Sequence, residues 1–198
     1  MKYLISAIYY LLYPFAWIVY KIRKLPFAYF AIDLMSCMRT KSEYMLIRSV
    51  VKVESNDGTS NYAQTLNNLI GMHKVQIRPT YQNNVAVSGD GGTMGGYDNW
   101  ALCIADFWLW YEYNNLQTHK DESFPVLLGF FIVKYNPADT TPYMTSAAIS
   151  LFQAIEDTRT WMYVSIAFFF GTLGMLWYSV RKWKKKPKFL KISFLGWK

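Results

Sequence analysis

Residues 160–180 run for 21 positions without a charge, between Arg159 and Arg181. About 20 apolar residues in a helix match the hydrocarbon thickness of a bilayer. The run carries Phe168, Phe169, Phe170, Leu173, Met175 and Leu176 inside, with Trp161, Tyr163, Trp177 and Tyr178 towards its ends. Indole and phenol rings favour the membrane interfaces, so this order is that of a spanning helix with an aromatic belt. Whatever precedes the run is expected to deliver residue 159 to a membrane surface.

Charge sets the expected orientation. The chain of 198 residues carries a net charge of +8. From Arg181 onward there are eight Lys or Arg and no acid, so the whole excess sits in the tail. Basic residues beside a span favour the cytoplasmic side, where anionic lipid attracts each by about 1 kcal/mol. The residues before the span are then expected on the outer side. In a membrane-containing virion the inner side is the genome side, and the tail would meet nucleic acid there. A lipid-anchoring flank is the plainer reading.

A second uncharged run covers residues 3–20, between Lys2 and the cluster of Lys21, Arg23 and Lys24. It is just long enough to cross. Bulky residues fill it and no small-residue cleavage site follows, which favours a signal anchor over a cleaved signal peptide. Two crossings put Lys21, Arg23 and Lys24 outside, against the positive-inside rule. Either the seven basic residues within 181–191 outvote these three, or the first run lies in the interface without crossing. Residues 25–32 are also apolar, and either continue along the membrane or pack on the domain.

The expected division is therefore 1–24 as an N-terminal membrane segment, 25–41 as a connector and 42–158 as one domain. Residues 159–180 form the span and 181–198 the basic tail. The length leaves room for one core of ordinary size. Cys37 and Cys103 give no disulfide framework and are expected as free thiols. His73 and His119 stand alone, and no Cys/His cluster has ligand spacing, so neither a metal nor a cofactor is expected.

Inside the domain, residues 42–51 read as a helix with Ser42 as its N-cap. Ile47, Val50, Val51 and Glu54 fall at i, i+3, i+4 and i+7 and share a face, just before a break at Asn56-Asp57-Gly58. A carboxyl continuing an apolar stripe loses water, which favours its neutral, proton-carrying form. A glycosidase requires that of its general acid. The bland alternative is a helix-end carboxylate, solvated or paired with a cation.

Further along, Val75, Ile77, Val85 and Val87 alternate with polar residues and lead to Ser88-Gly89-Asp90-Gly91-Gly92, which reads as a short hairpin or β-lobe with a glycine-rich tip. No Gly-Lys-Ser/Thr follows, so the tip is not a phosphate loop. Residues 99–113 form an aromatic helix, mostly core, with one or two rings available to stack on sugar. Residues 124–133 are too short to span and read as a buried helix, and 141–157 as another helix with Pro142 in its first turn.

The stretch from Glu54 also carries a resemblance. Glu54-Ser55-Asn56-Asp57-Gly58-Thr59-Ser60, then Ala63, then Asn67-Asn68-Leu69-Ile70-Gly71-Met72, resembles the E-S-G-W-G-x-S … A … N-N-L-F-G-I signature of glucosaminidases of the glycoside hydrolase family 73 type. Asn56 stands where that pattern has Gly, and Asp57 where it has Trp. Tyr97-Asp98-Asn99-Trp100 … Asp106 and Tyr135 … Asp139 … Tyr143 follow in the family's order, so the resemblance covers roughly 42–155. It implies a mainly α (α+β lysozyme-like) fold with a small β-lobe, here flanked by transmembrane helices. It also implies an enzyme that cleaves the glycan strand of peptidoglycan at an N-acetylglucosaminyl bond, with Glu54 as acid.

Such cleavage needs a donated proton and stabilisation of an oxocarbenium-like centre, from a second carboxylate or from the substrate's own N-acetyl group. Asp90 is the first choice for the second carboxylate and Asp57 the second. Asn67, Asn68 and Gly71 are expected to shape the turn behind the cleft, and Asn68, Tyr97 and Tyr143 are the candidate sugar-binding residues. A lytic transglycosylase would use the same acid without water. An enzyme of this kind suits a phage that opens the wall, in the virion or for lysis, or a bacterial envelope. The contrasting possibility is a non-catalytic structural protein of a virion or envelope membrane, one that binds glycan and neighbouring membrane proteins. Expected partners are peptidoglycan glycan strands and the lipid bilayer, with the tail on anionic lipid or nucleic acid.

Overall fold

A computed structural model describes residues 1–89, 92–135 and 141–184. The chain is mostly helical: α1 (Lys2–Ile22), α2 (Ala28–Met35), α3 (Lys41–Ser55), α4 (Asn61–Leu66), a hairpin of β1 (Ala86–Gly89) and β2 (Gly92–Gly95), α5 (Trp100–Tyr113), α6 (Phe124–Tyr135), α7 (Thr141–Met144), α8 (Ser146–Gln153) and α9 (Arg159–Lys184).

Helix α3 starts on a capping box. Thr40 Oγ1 accepts from the Glu43 amide at 3.3 Å, and Glu43 Oε2 accepts from the Thr40 amide at 2.9 Å. The cap is thus Thr40, and the expected cap Ser42 lies inside the first turn. Ile47, Val50 and Val51 are fully buried, as their shared face requires. The helix ends where Asn56, Asp57 and Gly58 take left-handed φ of 46°, 59° and 87° in succession. A Cβ at Gly58 would come to 3.0 Å from Ala28 Cβ, so this turn presses on α2.

The hairpin pairs Ala86 with Gly95 and Gly89 with Gly92, antiparallel. Its second strand comes from the glycine-rich run itself rather than from Val75 and Ile77. The segment before it touches β2 through a single bridge, His73 to Met94. The one helix expected over 141–157 is two short ones. Thr145 Oγ1 accepts from the Ala148 amide at 3.2 Å, which caps α8 and ends the continuity with α7.

The core lies among α2, α3, α5 and α6, with Phe30, Leu46, Phe107, Leu127 and Phe131 fully buried. Residues 25–32 therefore pack on the domain, not along a membrane, and the core extends well upstream of residue 42. Helix α1 joins it. Ile5, Tyr9, Leu12, Ala16 and Tyr20 form a buried stripe, and Tyr9 stacks on Phe30 at 5.5 Å between centroids. Helix α9 lies against α1 in its first half, where Phe168 and Phe169 meet the Phe15 ring at 5.3 and 5.4 Å. From residue 173 to 183 every residue is exposed. Both α1 and α9 are long and apolar enough to cross a membrane.

Where these flanks meet the domain, one carboxylate gathers four segments. Asp33 of α2 is fully buried and accepts from Tyr20 Oη of α1 at 2.5 Å, Tyr44 Oη of α3 at 2.6 Å and Thr158 Oγ1 at 2.7 Å. Arg48 Nη1 donates to Tyr44 Oη at 2.9 Å and to Thr158 Oγ1 at 3.2 Å, so its charge reaches Asp33 through hydroxyls. Burial outweighs these donors and holds the Asp33 carboxyl above its ordinary range.

Candidate active site

A cleft of about 750 Å³ opens at the C-terminal end of α3. Glu54, on the last turn of that helix and half-buried, is the one carboxylate lining it among the described residues. Its neighbour is Gly71, where an added Cβ would lie 2.5 Å from Glu54 Oε2. Gly71 also has φ +63°, a backbone conformation that favours glycine, and a side chain there would displace the Glu54 carboxyl.

The turn that brings Gly71 to Glu54 is held by Asn68. Its Nδ2 donates to the carbonyls of Met72 at 2.8 Å and Gly95 at 2.9 Å, while its Oδ1 accepts from the Met72 amide at 3.0 Å. Tyr135 Oη donates to the Ile70 carbonyl from the end of α6. Tyr135 also lines the cleft, with Trp110, Tyr113 and Asn114 from the end of α5. Trp110 and Tyr135 meet edge to face at 5.4 Å. Residues 72–78 supply the remaining side, including His73, Lys74 and Arg78.

That side is fastened by an ion pair the sequence reading missed. Arg78 Nη1 and Nη2 donate to the two oxygens of Asp106, at 3.2 and 3.0 Å, with both side chains almost wholly buried. Tyr97 Oη donates to Asp106 Oδ2 at 3.0 Å, and the Tyr81 amide to Oδ1 at 2.9 Å. A sequence signal existed: Asp106 is a lone acid between Trp100 and Tyr111, and a carboxylate inside so apolar a helix must find a partner.

Tyr97 and Asp57 are therefore placed differently from expectation, and Asn68 takes the turn-shaping role rather than the sugar-binding one. Tyr97 is 2% exposed and lies behind the cleft on Asp106, because burial of its ring and the hydroxyl bond draw it into the core. Asn68 is 1% exposed and its amide is spent on the turn, so it shapes the site without facing it. Asp57 turns away from Glu54 and pairs with Lys52 at 2.9 Å, beside Tyr29 and Arg48 in a separate small cavity. Asp90 and Asp139 lie outside the described residues, as does the side chain of Tyr143 in α7. Cys103 is buried and Cys37 half-buried, both as free thiols. No group of His, Cys, Asp and Glu suited to a metal occurs among the described residues.

The arrangement sets the Glu54 carboxyl in one cleft with the rings of Trp110, Tyr113 and Tyr135. Protein-family models, curated proteins and solved structures give no match to this chain.

Proposed function

We propose that the chain is a membrane-anchored peptidoglycan hydrolase of the glucosaminidase type, with Glu54 as general acid. The observation that carries this reading is Glu54, the one carboxylate among the described residues that lines an aromatic-walled cleft, with Gly71 packed against it. Aromatic faces present the flat apolar area and polar edge that sugar rings favour. The signature resemblance adds to this. Asn56, standing where the signature has Gly, is left-handed, a conformation that glycine takes freely and asparagine tolerates. The lysozyme-like architecture, the domain facing the cell wall and the basic tail on the opposite side belong to the same reading, with α9 as the anchor.

A second reading, lytic transglycosylase, is favoured by one observation. Among the described residues no carboxylate besides Glu54 lines the cleft, and Asp57 faces another cavity. A transglycosylase needs no carboxylate beyond the one acid that these residues offer.

The test uses the full chain in detergent, because removing residues 1–40 would strip Phe30 and Ile32 from the core. Wild type and Glu54→Gln are incubated with purified peptidoglycan and the products are weighed. Loss of general acid catalysis costs about 10²–10⁴ in rate. Reducing N-acetylglucosamine ends from wild type alone support the glucosaminidase, and anhydro-muramyl ends support the transglycosylase. Equal or absent release from two folded, wall-binding proteins removes the enzyme reading and leaves a structural membrane protein.

A further inference from the structure

We infer that the 72–78 side of the cleft is a subsite for the peptide stems of the wall, with Lys74 taking a stem carboxylate while the glycan lies on the aromatic side. This rests on the glycan-strand reading of the cleft, and it narrows the substrate to strands that still carry charged stems.

Charge carries the argument. Among the described residues the cleft is lined by one acid, Glu54, and by the cations of Lys74 and Arg78. Arg78 is neutralised where it stands by the two oxygens of Asp106. Lys74 is exposed and makes no ion pair with a described residue. A general acid acts in its protonated form, which for a carboxyl is neutral. In that form the described lining keeps one cation with nothing to offset it. N-acetylated sugar rings carry no charge, so the glycan itself gives an ammonium no partner. The negative charges of peptidoglycan are the carboxylates of the stems, which hang from the lactyl group of every second sugar.

Lys74 stands on fixed backbone. Its amide donates to the Thr93 carbonyl at 2.7 Å, and the Gly95 amide donates to the Met72 carbonyl at 3.1 Å, which pins one edge of the strip to β2. One side chain holds the other edge. Gln82 Oε1 accepts from the Val75 amide at 2.9 Å, and Gln82 Nε2 donates to the His73 carbonyl at 2.8 Å. His73 itself lies over the hairpin, where a Cβ added at Gly92 would meet its Nδ1 at 2.8 Å. A ligand therefore has only the Lys74 side chain to order, which keeps the cost of binding small.

The test uses the full chain in detergent and purified peptidoglycan, either native or with its carboxyls converted to primary amides by carbodiimide and ammonia. Binding is read by co-sedimentation in a Glu54→Gln background, and product release by the wild type is followed beside it. Lys74→Gln is expected to weaken binding to native wall about two- to fivefold, the range of an exposed ion pair, and to leave binding to amidated wall unchanged. Lys74→Arg should keep the preference for native wall, and high salt should shrink it. The basic tail is common to all variants and cancels in the comparison. Equal effects of Lys74→Gln on the two walls, or no effect on either, overturn the inference. A retained preference with no release by the wild type removes the hydrolase reading and leaves the stem contact standing.

Discussion

Asp106 and Asp33 are both fully buried carboxylates in apolar helices, and the protein treats them differently. Asp106 meets a guanidinium directly through two parallel bonds from Arg78, with Tyr97 and the Tyr81 amide completing the set. Asp33 is surrounded by hydroxyls, and Arg48 reaches it only through Tyr44 and Thr158. The first arrangement cancels charge and fixes one loop, the side of the cleft at residues 72–78. The second spreads hydroxyl bonds over four segments and joins α1, α2 and Thr158, just before α9, to α3, the helix that carries Glu54. A bidentate pair is a local clamp; a hydroxyl cluster is a junction.

Three changes would break or sharpen this contrast. Arg78→Ala leaves Asp106 buried without its cation, which costs about 3–5 kcal/mol. Urea unfolding of the full chain in detergent should show a loss of that size. A loss below about 1 kcal/mol would mean that the pair is not closed in solution.

Asp33→Asn is expected to cost less, about 1–3 kcal/mol, because one acceptor is lost while the hydroxyls remain. It should also change the pH response. The folded Asp33 carboxyl lies above its ordinary range, so its stabilising contribution is complete at pH below that range and is lost as pH rises through the folded value. The urea midpoint of the variant should lack this decline, and parallel curves for the two proteins would refute the assignment.

The smallest effect belongs to Asp98, half-exposed at the N-terminal end of α1. Its bond to Lys2 holds its carboxyl below the ordinary range, so the stability it adds is present at neutral pH and lost as pH falls through the lowered value. Lys2→Met should speed amide exchange in the first turns of α1 at neutral pH and change little at acid pH. Equal exchange at both would show that the pair does not hold the helix.

Periodicity made part of the site legible. The spacing from Ile47 to Glu54 placed a carboxylate at the end of a buried stripe, and the cleft opens there. Tyr135 lines it too, although Tyr97 and Tyr143 were the tyrosines expected to bind sugar. Side-chain identity alone does not tell a tyrosine facing a cleft from one inside the core, because both have an apolar body and a polar tip. The capping box at Thr40 was readable and went unread, since Ser42 offered a second plausible cap in the same four residues.

The sequence by itself determined the helical character, the length and apolarity of α1 and α9, and the place of Glu54 on its helix face. Those depend on local periods and on runs of like residues. Only the tertiary structure decided that residues 25–32 belong to the core, that α1 is pinned at both ends, and that Asp57 and Glu54 face different cavities. Each of these depends on contacts between residues far apart in the chain. Lys2 and Asp98 are 96 positions apart, and Asp33 and Thr158 are 125 apart. No local pattern encodes such a meeting; it follows from the one packing that buries the apolar faces of α1, α2, α3 and α5 together.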